Sequence, residues 1–262
     1  MRGLLGLPLF LAACGGASAI STRDAAAPPP IDPPGIVLSD TTFEGAAKSL
    51  ELRDGGALSS GASFSSWFVN EDTLILTVEN RTILLLFDGF NQYKSEDGSA
   101  SLFFSRGPVD GAIDADVVAL TFVETPDAGA PRSIYNFVTG VETSPAALAG
   151  FGRASYTGQG HFWNTDANVS VAQVTLNVQF DAATIDGTFR QAIANAPSVT
   201  LTLPETDIVG GQFAGSLTSA DVGITSSAVS GGFYGENARS VAGTANADTD
   251  LGPITGYFIA TR

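Results

Sequence analysis

Few residues of this chain could carry covalent or metal chemistry. Cys14 is the only cysteine and His161 the only histidine among 262 residues. A Cys/His metal cluster is therefore impossible, and His161 is the only imidazole that could act as a catalytic base. No motif assembles a nucleophile, a base and a third orienting group, so we expect that the chain is not an enzyme.

Two groups of aspartates could be considered for calcium. Asp110, Asp114 and Asp116 form one group, and Asp248 and Asp250 form the other. Neither shows the D-x-[DN]-x-[DN]-G spacing with a distal glutamate that an EF-hand loop requires. We interpret these acids as solvated turn residues, and we predict no metal site.

His161 and Trp163 are the remaining candidates for ligand binding. They lie where a loop between two strands is expected, and their rings offer area for a flat ligand such as haem. Axial ligation of haem iron needs a histidine or a tyrosine, and the tyrosines are Tyr93, Tyr135, Tyr156, Tyr234 and Tyr257. The alternative is a loop histidine beside aromatic residues that cover the end of the fold. No other cofactor is expected.

The charge balance excludes two classes of partner. The net charge is −15, and Lys48 and Lys94 are the only lysines. Nucleic-acid binding depends on clustered Lys and Arg that displace counterions, and the chain has no such cluster. Docking of a basic patch on anionic lipid is excluded for the same reason. The acidic surface either steers a basic partner or keeps the protein soluble.

The N-terminus has the features of a secreted, lipid-anchored protein. Residues 1–13 combine one positive charge with an apolar stretch that is too short to span a bilayer, which predicts a signal peptide. Leu11-Ala12-Ala13-Cys14 resembles the lipobox of bacterial lipoproteins, in which the cysteine receives a diacylglyceryl group and its new amino end is acylated, for example with palmitate. The alternative is a secretory peptide with a chance cysteine. Gly15 stands where many inner-membrane lipoproteins have Asp, so the resemblance implies sorting to the outer membrane of a Gram-negative bacterium.

Residues 14–35 are predicted to be a tether. They include five prolines between positions 28 and 34 and show no apolar periodicity, which favours an extended polyproline II chain. The predicted domains are therefore the signal peptide (1–13), the lipidated Cys14 with its Pro-rich tether (14–35), a β-rich region (36–147) and a second β region (148–262).

Alternating apolar residues predict strands throughout residues 36–147. Leu74–Val78 and Ile83–Phe87 read as a hairpin with a tight turn near Asn80. The run TILLLF (82–87) is apolar on both faces, so we predict that this strand is central and covered on both sides. Further strands are predicted at 101–104, 117–123 and 133–139.

Residues 148–262 predict eight strands linked by short turns. They lie near 153–161, 172–181, 184–190, 198–203, 208–218, 222–234, 239–247 and 254–261. Such a series suits an antiparallel up-and-down barrel. Glycines within the strands predict tight curvature or close packing; they are Gly158, Gly160, Gly211, Gly215, Gly231, Gly243 and Gly256. The interior is predicted to hold Phe189, Phe213, Phe233 and Phe258. The fold class is therefore all-β.

One block of sequence resembles a known family. Gly231-Gly232-Phe233-Tyr234-Gly235-Glu236-Asn237-Ala238, followed by a glycine-rich strand and the segment 256–262, is similar to the end of transferrin-binding protein B barrels. Glu236 replaces the usual proline of that turn. The resemblance covers residues 148–262, and it implies that residues 36–147 form the β-rich handle that precedes the barrel in this family.

The resemblance also implies a function. Members of this group are surface lipoproteins that bind partners without catalysis, and many are delivered by a surface lipoprotein assembly modulator that recognises the barrel. We therefore expect a cell-surface binding module that captures an iron source or another nutrient: haem, an iron-carrier protein or a small solute. The alternative is a structural or host-factor-binding lipoprotein of the immune-evasion type, with no nutrient role.

Overall fold

The computed structural model describes residues 43–45, 50–52, 58–60, 64–70, 72–78, 81–89, 92–105, 108–109, 112–113, 117–124, 133–164, 169–191 and 198–262. The predicted signal peptide (1–13), Cys14 and the predicted tether (14–35) lie outside the described residues. So do the turn at Asn80 and the aspartates at positions 110, 114 and 116. The interpretations given for all of these stay predictions.

The regular structure is almost entirely strand. The first twelve strands are Phe43–Gly45 (β1), Leu50–Leu52 (β2), Leu58–Ser60 (β3), Phe64–Asn70 (β4), Thr73–Val78 (β5), Arg81–Gly89 (β6), Gln92–Lys94 (β7), Ala100–Ser105 (β8), Pro108–Val109 (β9), Ala112–Ile113 (β10), Val117–Glu124 (β11) and Ser133–Gly140 (β12). A short helix follows, Pro145–Leu148 (α1). The last eight strands are Arg153–Asn164 (β13), Val169–Gln179 (β14), Thr184–Gln191 (β15), Val199–Val209 (β16), Gln212–Gly215 (β17), Ile224–Tyr234 (β18), Ser240–Thr249 (β19) and Gly252–Thr261 (β20), with a 3-10 turn at Glu236–Ala238.

Ten of the early strands form one antiparallel sheet, which we call the handle sheet. Its order is β1-β4-β5-β6-β7-β8-β11-β12-β2-β3, and β9 pairs separately with β10. The predicted hairpin is confirmed, since β5 and β6 pair from Thr73 with Leu86 to Val78 with Arg81. The strands predicted near residues 101, 117 and 133 are found as β8, β11 and β12.

One face of the handle sheet carries a core of its own. Alternate residues of β5, β6, β8, β11 and β12 meet there, including Leu74, Leu85, Leu102, Leu120 and Phe137, none of which is exposed. Because residues two apart on a strand share a face, the curled sheet encloses one face of these strands.

The prediction that β6 is covered on both faces is wrong. Leu85 is buried in the handle core, but Leu84 and Leu86 are 55% and 43% exposed. In the handle sheet, β11 is buried on both faces from Val117 to Phe122, because its second face packs against the barrel. An apolar run is compatible with burial on both faces of a strand. The strand is buried on both faces only where other elements pack against each of them.

The last eight strands form the predicted closed barrel. Each pairs antiparallel with the next, and β13 also pairs with β20, which closes the ladder. The predicted alternation of the second strand is confirmed, since Ala172, Val174, Leu176 and Val178 are buried while Gln173 and Thr175 are exposed. The all-β class, with a β-rich handle ahead of an eight-stranded antiparallel barrel, is therefore confirmed.

Aromatic rings fill the barrel interior. Phe162, Phe189, Phe258, Phe213 and Phe233 are each no more than 2% exposed. In that order, their successive ring centroids lie 6.3, 5.1, 6.5 and 6.4 Å apart. Four of these rings were predicted, and Phe162 adds a fifth. An eight-stranded barrel is just wide enough for side chains to fill, and here they form a packed core.

Strand glycines allow the barrel wall to pack closely, as predicted. A Cβ at Gly256 would lie 2.1 Å from the carbonyl oxygen of His161, which no side chain tolerates. Gly211 differs from the prediction, because it lies in a turn with φ of +79° after Gly210 at +61°. The strand predicted at 208–218 is therefore divided between the end of β16 and β17.

Within the described residues, none of the helices has the length and apolar composition needed to cross a bilayer.

Candidate functional site

His161 and Trp163 lie in the first barrel strand, so the prediction that they occupy a loop is wrong. β13 continues to Asn164 because each of these residues pairs on both sides, with β14 and with β20. Phe162, between them, is buried in the barrel core. Strand alternation therefore places His161 and Trp163 on the outer wall of the barrel.

Tyr257 holds these two rings together. The His161 and Tyr257 rings stack with centroids 5.3 Å apart and an interplanar angle of 12°. The Trp163 ring lies 5.7 Å from the same tyrosine at 43°. Tyr257 is only 5% exposed, because it belongs to the cluster in which the handle sheet meets the barrel. We call these three residues the outer-wall ring cluster.

The electrostatic state of His161 is set by its burial. Desolvation lowers the pKa of His161 below its ordinary value, since burial disfavours the charged imidazolium. At neutral pH the ring is therefore a neutral imidazole, which is the form that binds metals and haem iron. The geometry brings His161 and Trp163 together, and their role in binding a ligand stays a prediction.

The tyrosines considered as haem ligands are all packed inside the fold. Tyr93 and Tyr135 belong to the handle core, and Tyr156 donates its hydroxyl hydrogen to the carbonyl oxygen of Ala238 at 2.6 Å. Burial raises the pKa of Tyr156 to about 12 and also raises that of Tyr234, so both stay protonated. His161 is the candidate nearest to solvent.

A buried polar network joins the handle sheet to the barrel. The Thr121 hydroxyl donates to Oδ1 of Asn136 at 3.0 Å, and Nδ2 of Asn136 donates to the Thr255 hydroxyl at 3.3 Å. Each of the three is at most 2% exposed. Because Thr121 and Asn136 belong to the handle and Thr255 to β20, the network fixes the register between the two sheets.

The segment that links the handle to the barrel is also hydrogen-bonded to the barrel. The Thr143 amide donates to the Phe233 carbonyl at 2.9 Å, and the Gly235 amide donates to the Val141 carbonyl at 2.8 Å. The Thr143 hydroxyl adds a bond to the Gly235 carbonyl at 2.7 Å. The linker therefore packs against the turn that contains Gly235 and Asn237, both of which have positive φ.

A second feature was not predicted from the sequence. Leu84, Leu86 and Phe103 are 55%, 43% and 39% exposed on the handle sheet. The register puts them on one face together with the half-buried Ile75, which pairs with Leu84. We call these four residues the handle apolar surface. The signal in the sequence was the excess of apolar residues on both faces of TILLLF.

The part of the chain that the structure describes contains no assembled metal site. No group of three or more His, Cys, Asp or Glu side chains lies close enough together there to hold an ion. What the described residues offer is contact area: aromatic rings at the handle–barrel junction and an apolar surface on the handle. The described barrel is thus a packed scaffold, and these aromatic and apolar side chains lie on its outer wall and on the handle.

Known proteins share this architecture. Residues 148–262 match the family described as the C-lobe and N-lobe beta barrels of Tf-binding protein B. The handle sheet and barrel together have a transferrin-binding-protein-B-like fold. No curated protein sequence matches the chain significantly.

Solved structures give the extent of the likeness. A double mutant of transferrin binding protein B from Haemophilus parasuis Hp5 aligns with a TM-score of 0.51 at 16% identity, over 82% of this chain and 44% of that one. The isotype 1 protein from serogroup B Neisseria meningitidis aligns with a TM-score of 0.50 at 17% identity, over 84% and 44% of the two chains. The present chain thus spans less than half the length of these relatives.

Proposed function

We propose that this chain is a lipid-anchored, non-enzymatic binding protein of the Gram-negative cell surface, which captures an iron source or another nutrient. The observation that carries the proposal is the transferrin-binding-protein-B-like fold, matched by sequence over residues 148–262 and by structure over 82% of the chain. Those relatives are named for transferrin binding, so an iron-carrying protein is the first class of ligand to test.

The packed barrel supports binding on the outside of the protein. Five of its phenylalanine rings lie next to one another in series and leave the interior as a core of side chains. A ligand that entered would have to displace buried rings, each of which contributes several kcal/mol to stability. A protein partner needs no cavity, because protein interfaces form on exposed surfaces with an apolar centre.

Capture from a complex mixture tests the proposal. The full mature chain is immobilised and exposed to host serum and to spent growth medium, and the retained material is analysed by native mass spectrometry and for iron and haem. The same chain, unfolded before immobilisation, is the control. A stoichiometric protein that carries iron, or a retained haem, is the expected result.

The other outcomes discriminate between the functions. A stoichiometric partner without iron or haem would favour the host-factor-binding alternative. Retention of nothing above the unfolded control would contradict the binding function.

The outer-wall ring cluster provides a separate test for haem. His161 and Trp163 are proposed contacts, with the neutral imidazole as the iron ligand. Titration with haem, followed by absorbance, should give a saturable spectrum in the parent chain and not in His161→Ala. Equal spectra in both chains would remove His161 as the haem site. No spectrum in either chain would remove haem from the proposal and leave protein capture.

Lipid anchoring through Cys14 is tested independently. The parent chain, expressed with its N-terminus, should incorporate labelled palmitate and enter the detergent phase on Triton X-114 partition. Cys14→Ser should do neither. Delivery to the surface by a lipoprotein assembly modulator that recognises the barrel belongs to the same proposal, and protease accessibility on whole cells with and without that modulator would test it.

A further inference from the structure

We infer that the handle apolar surface is the docking site for a protein partner whose contact surface is apolar at its centre and basic at its rim. The inference rests on the proposed function and deepens it, because it names the surface that binds and the chemistry of the partner. It uses residues that lie outside the outer-wall ring cluster.

The exposed side chains lie in the interior of a sheet. Leu84 and Leu86 are central residues of β6, which has β5 on one side and β7 on the other. Phe103 lies in β8, the next strand after β7. Leu86 pairs with β5 and β7, Phe103 pairs with β7 and β11, and Leu84 pairs with Ile75 of β5. The exposure of these strand residues therefore does not result from a frayed end or a loop. Clustered apolar exposure of this kind marks interaction sites in soluble proteins.

The surface is continuous with an interface that already exists in the molecule. Phe103 pairs with Thr121 of β11, so the two side chains share one face of the handle sheet. Thr121 is buried in the polar network that joins the handle to the barrel. The same face is therefore covered by the barrel at β11 and β12 and open at β6 and β8. A partner seated on the open part would extend the packed layer that the barrel begins.

Among the described residues, acidic groups outnumber cations around the apolar side chains. Asp72, Asp88, Glu96 and Asp97 lie at or beside the ends of β5, β6 and β7. Lys94 pairs in register with Leu86 and its ammonium is bound to Asp88, while Arg81 at the start of β6 is bound to Glu124. Hydrogen bonds from Ser95 and Ser99 lower the pKa of Asp97 to about 2, so it stays ionised at physiological pH. A partner with Lys or Arg around an apolar centre complements this rim.

The same charge argues against two other occupants. A second copy would bring together two chains of net charge −15, and their acidic rims would repel each other. Anionic lipid would be repelled in the same way. The described charge pattern therefore favours a basic protein surface over self-association or membrane contact.

The test uses a short synthetic peptide of alternating leucine and lysine, which presents one apolar face and basic charge. Its binding to the mature chain is measured by fluorescence anisotropy at physiological salt. A peptide of alternating leucine and glutamate is the charge control. The parent chain is expected to bind the leucine–lysine peptide and not the leucine–glutamate peptide.

Matched variants locate the binding. Leu84→Thr, Leu86→Thr and Phe103→Thr together remove the apolar side chains and keep residues that suit strands. Val209→Thr and Leu251→Thr remove two side chains that are 76% and 70% exposed elsewhere. The triple variant should bind the leucine–lysine peptide about tenfold more weakly or worse, while the control variant should match the parent. Circular dichroism and thermal melting confirm that each variant is folded.

Three results of the peptide, oligomer and vesicle measurements would overturn the inference, and a fourth would come from serum capture. One is equal peptide binding by the parent and the folded triple variant. Another is a parent dimer, seen by analytical ultracentrifugation, that the triple variant abolishes. The third is binding of the parent, but not the triple variant, to phosphatidylcholine vesicles. If serum capture retains a partner equally on the parent and the triple variant, the proposed function stands and this docking site fails.

Discussion

Replacement of Phe258 with alanine tests whether the barrel interior is a packed core. The ring is not exposed to solvent, and its centroid lies 5.1 Å from that of Phe189 and 6.5 Å from that of Phe213. Truncation of a buried phenylalanine to alanine destabilises proteins by about 3–5 kcal/mol, with larger losses where the site cannot collapse.

The surroundings of Phe258 place it in the upper part of that range. The Phe258 Cζ atom lies 2.9 Å from where a Cβ of Gly243 would be, so the ring covers bare backbone. No side chain at that position can move into the space. Loss of the edge contact with Phe189 adds to the cost, since aromatic pairs contribute about 0.5–1.5 kcal/mol. We therefore expect a loss of about 4–5 kcal/mol.

Urea unfolding followed by circular dichroism measures this loss, with thermal melting as a second readout. At about 2–4 °C per kcal/mol, the melting temperature should fall by about 8–20 °C. Val209→Ala, at a position that is 76% exposed, is the control and should stay within about 0.5 kcal/mol of the parent. A loss below about 1.5 kcal/mol for Phe258→Ala would refute a packed interior.

Three further predictions concern the barrel wall and the handle junction. Gly256→Val would place a Cβ about 2.1 Å from the His161 carbonyl oxygen and should prevent closure of β13 on β20. Near-ultraviolet circular dichroism should then show no native signal, and a native spectrum would contradict the register. Asn136→Leu leaves the buried Thr121 and Thr255 hydroxyls without their amide partner and should lower the free energy of unfolding in urea by about 1–3 kcal/mol. Adding Thr255→Val should recover part of this loss, and an unchanged urea midpoint in Asn136→Leu would contradict the network. Burial depresses the folded-state pKa of His161, so its contribution to stability is present above the unfolded value of about 6.5 and is lost as the pH falls through the folded pKa. The urea midpoint should therefore fall less in His161→Phe than in the parent between about pH 7.5 and 5.5, and an equal fall would contradict this.

The sequence predicted the barrel more fully than the handle, for a physical reason. In β14, Ala172, Val174, Leu176 and Val178 alternate with polar residues, and only one register buries all of them. Apart from the closing pair β13–β20, each barrel strand pairs with the next one along the chain, so local pattern and topology agree. The described handle strands pair partly with distant segments, as β2 does with β12, and no local pattern reveals that.

Burial by a neighbouring layer could not be read from the sequence. TILLLF in β6 is more apolar than VVALTF in β11, yet Leu84 and Leu86 are exposed while Val117 and Ala119 are buried. The difference comes from the barrel, which lies over β11 and not over β6. It could have been found only by knowing which part of the sheet the barrel covers.

The candidate site was predicted in its residues and not in its setting. His161 and Trp163 were singled out as aromatic neighbours, but the extension of β13 to Asn164 depends on pairing with Tyr257 and Thr255, almost a hundred residues later. The same pairing brings the Tyr257 ring onto both side chains. Long-range strand register therefore decided whether these residues formed a loop or an outer wall.

The structure of a complex with the captured partner would show directly whether the protein binds on its outside. We expect the partner to contact exposed residues, with Leu84, Leu86 and Phe103 among them, and the interior rings of Phe189 and Phe258 to keep their contact. A ligand bound between those rings, inside the barrel, would show that binding on the outside is wrong.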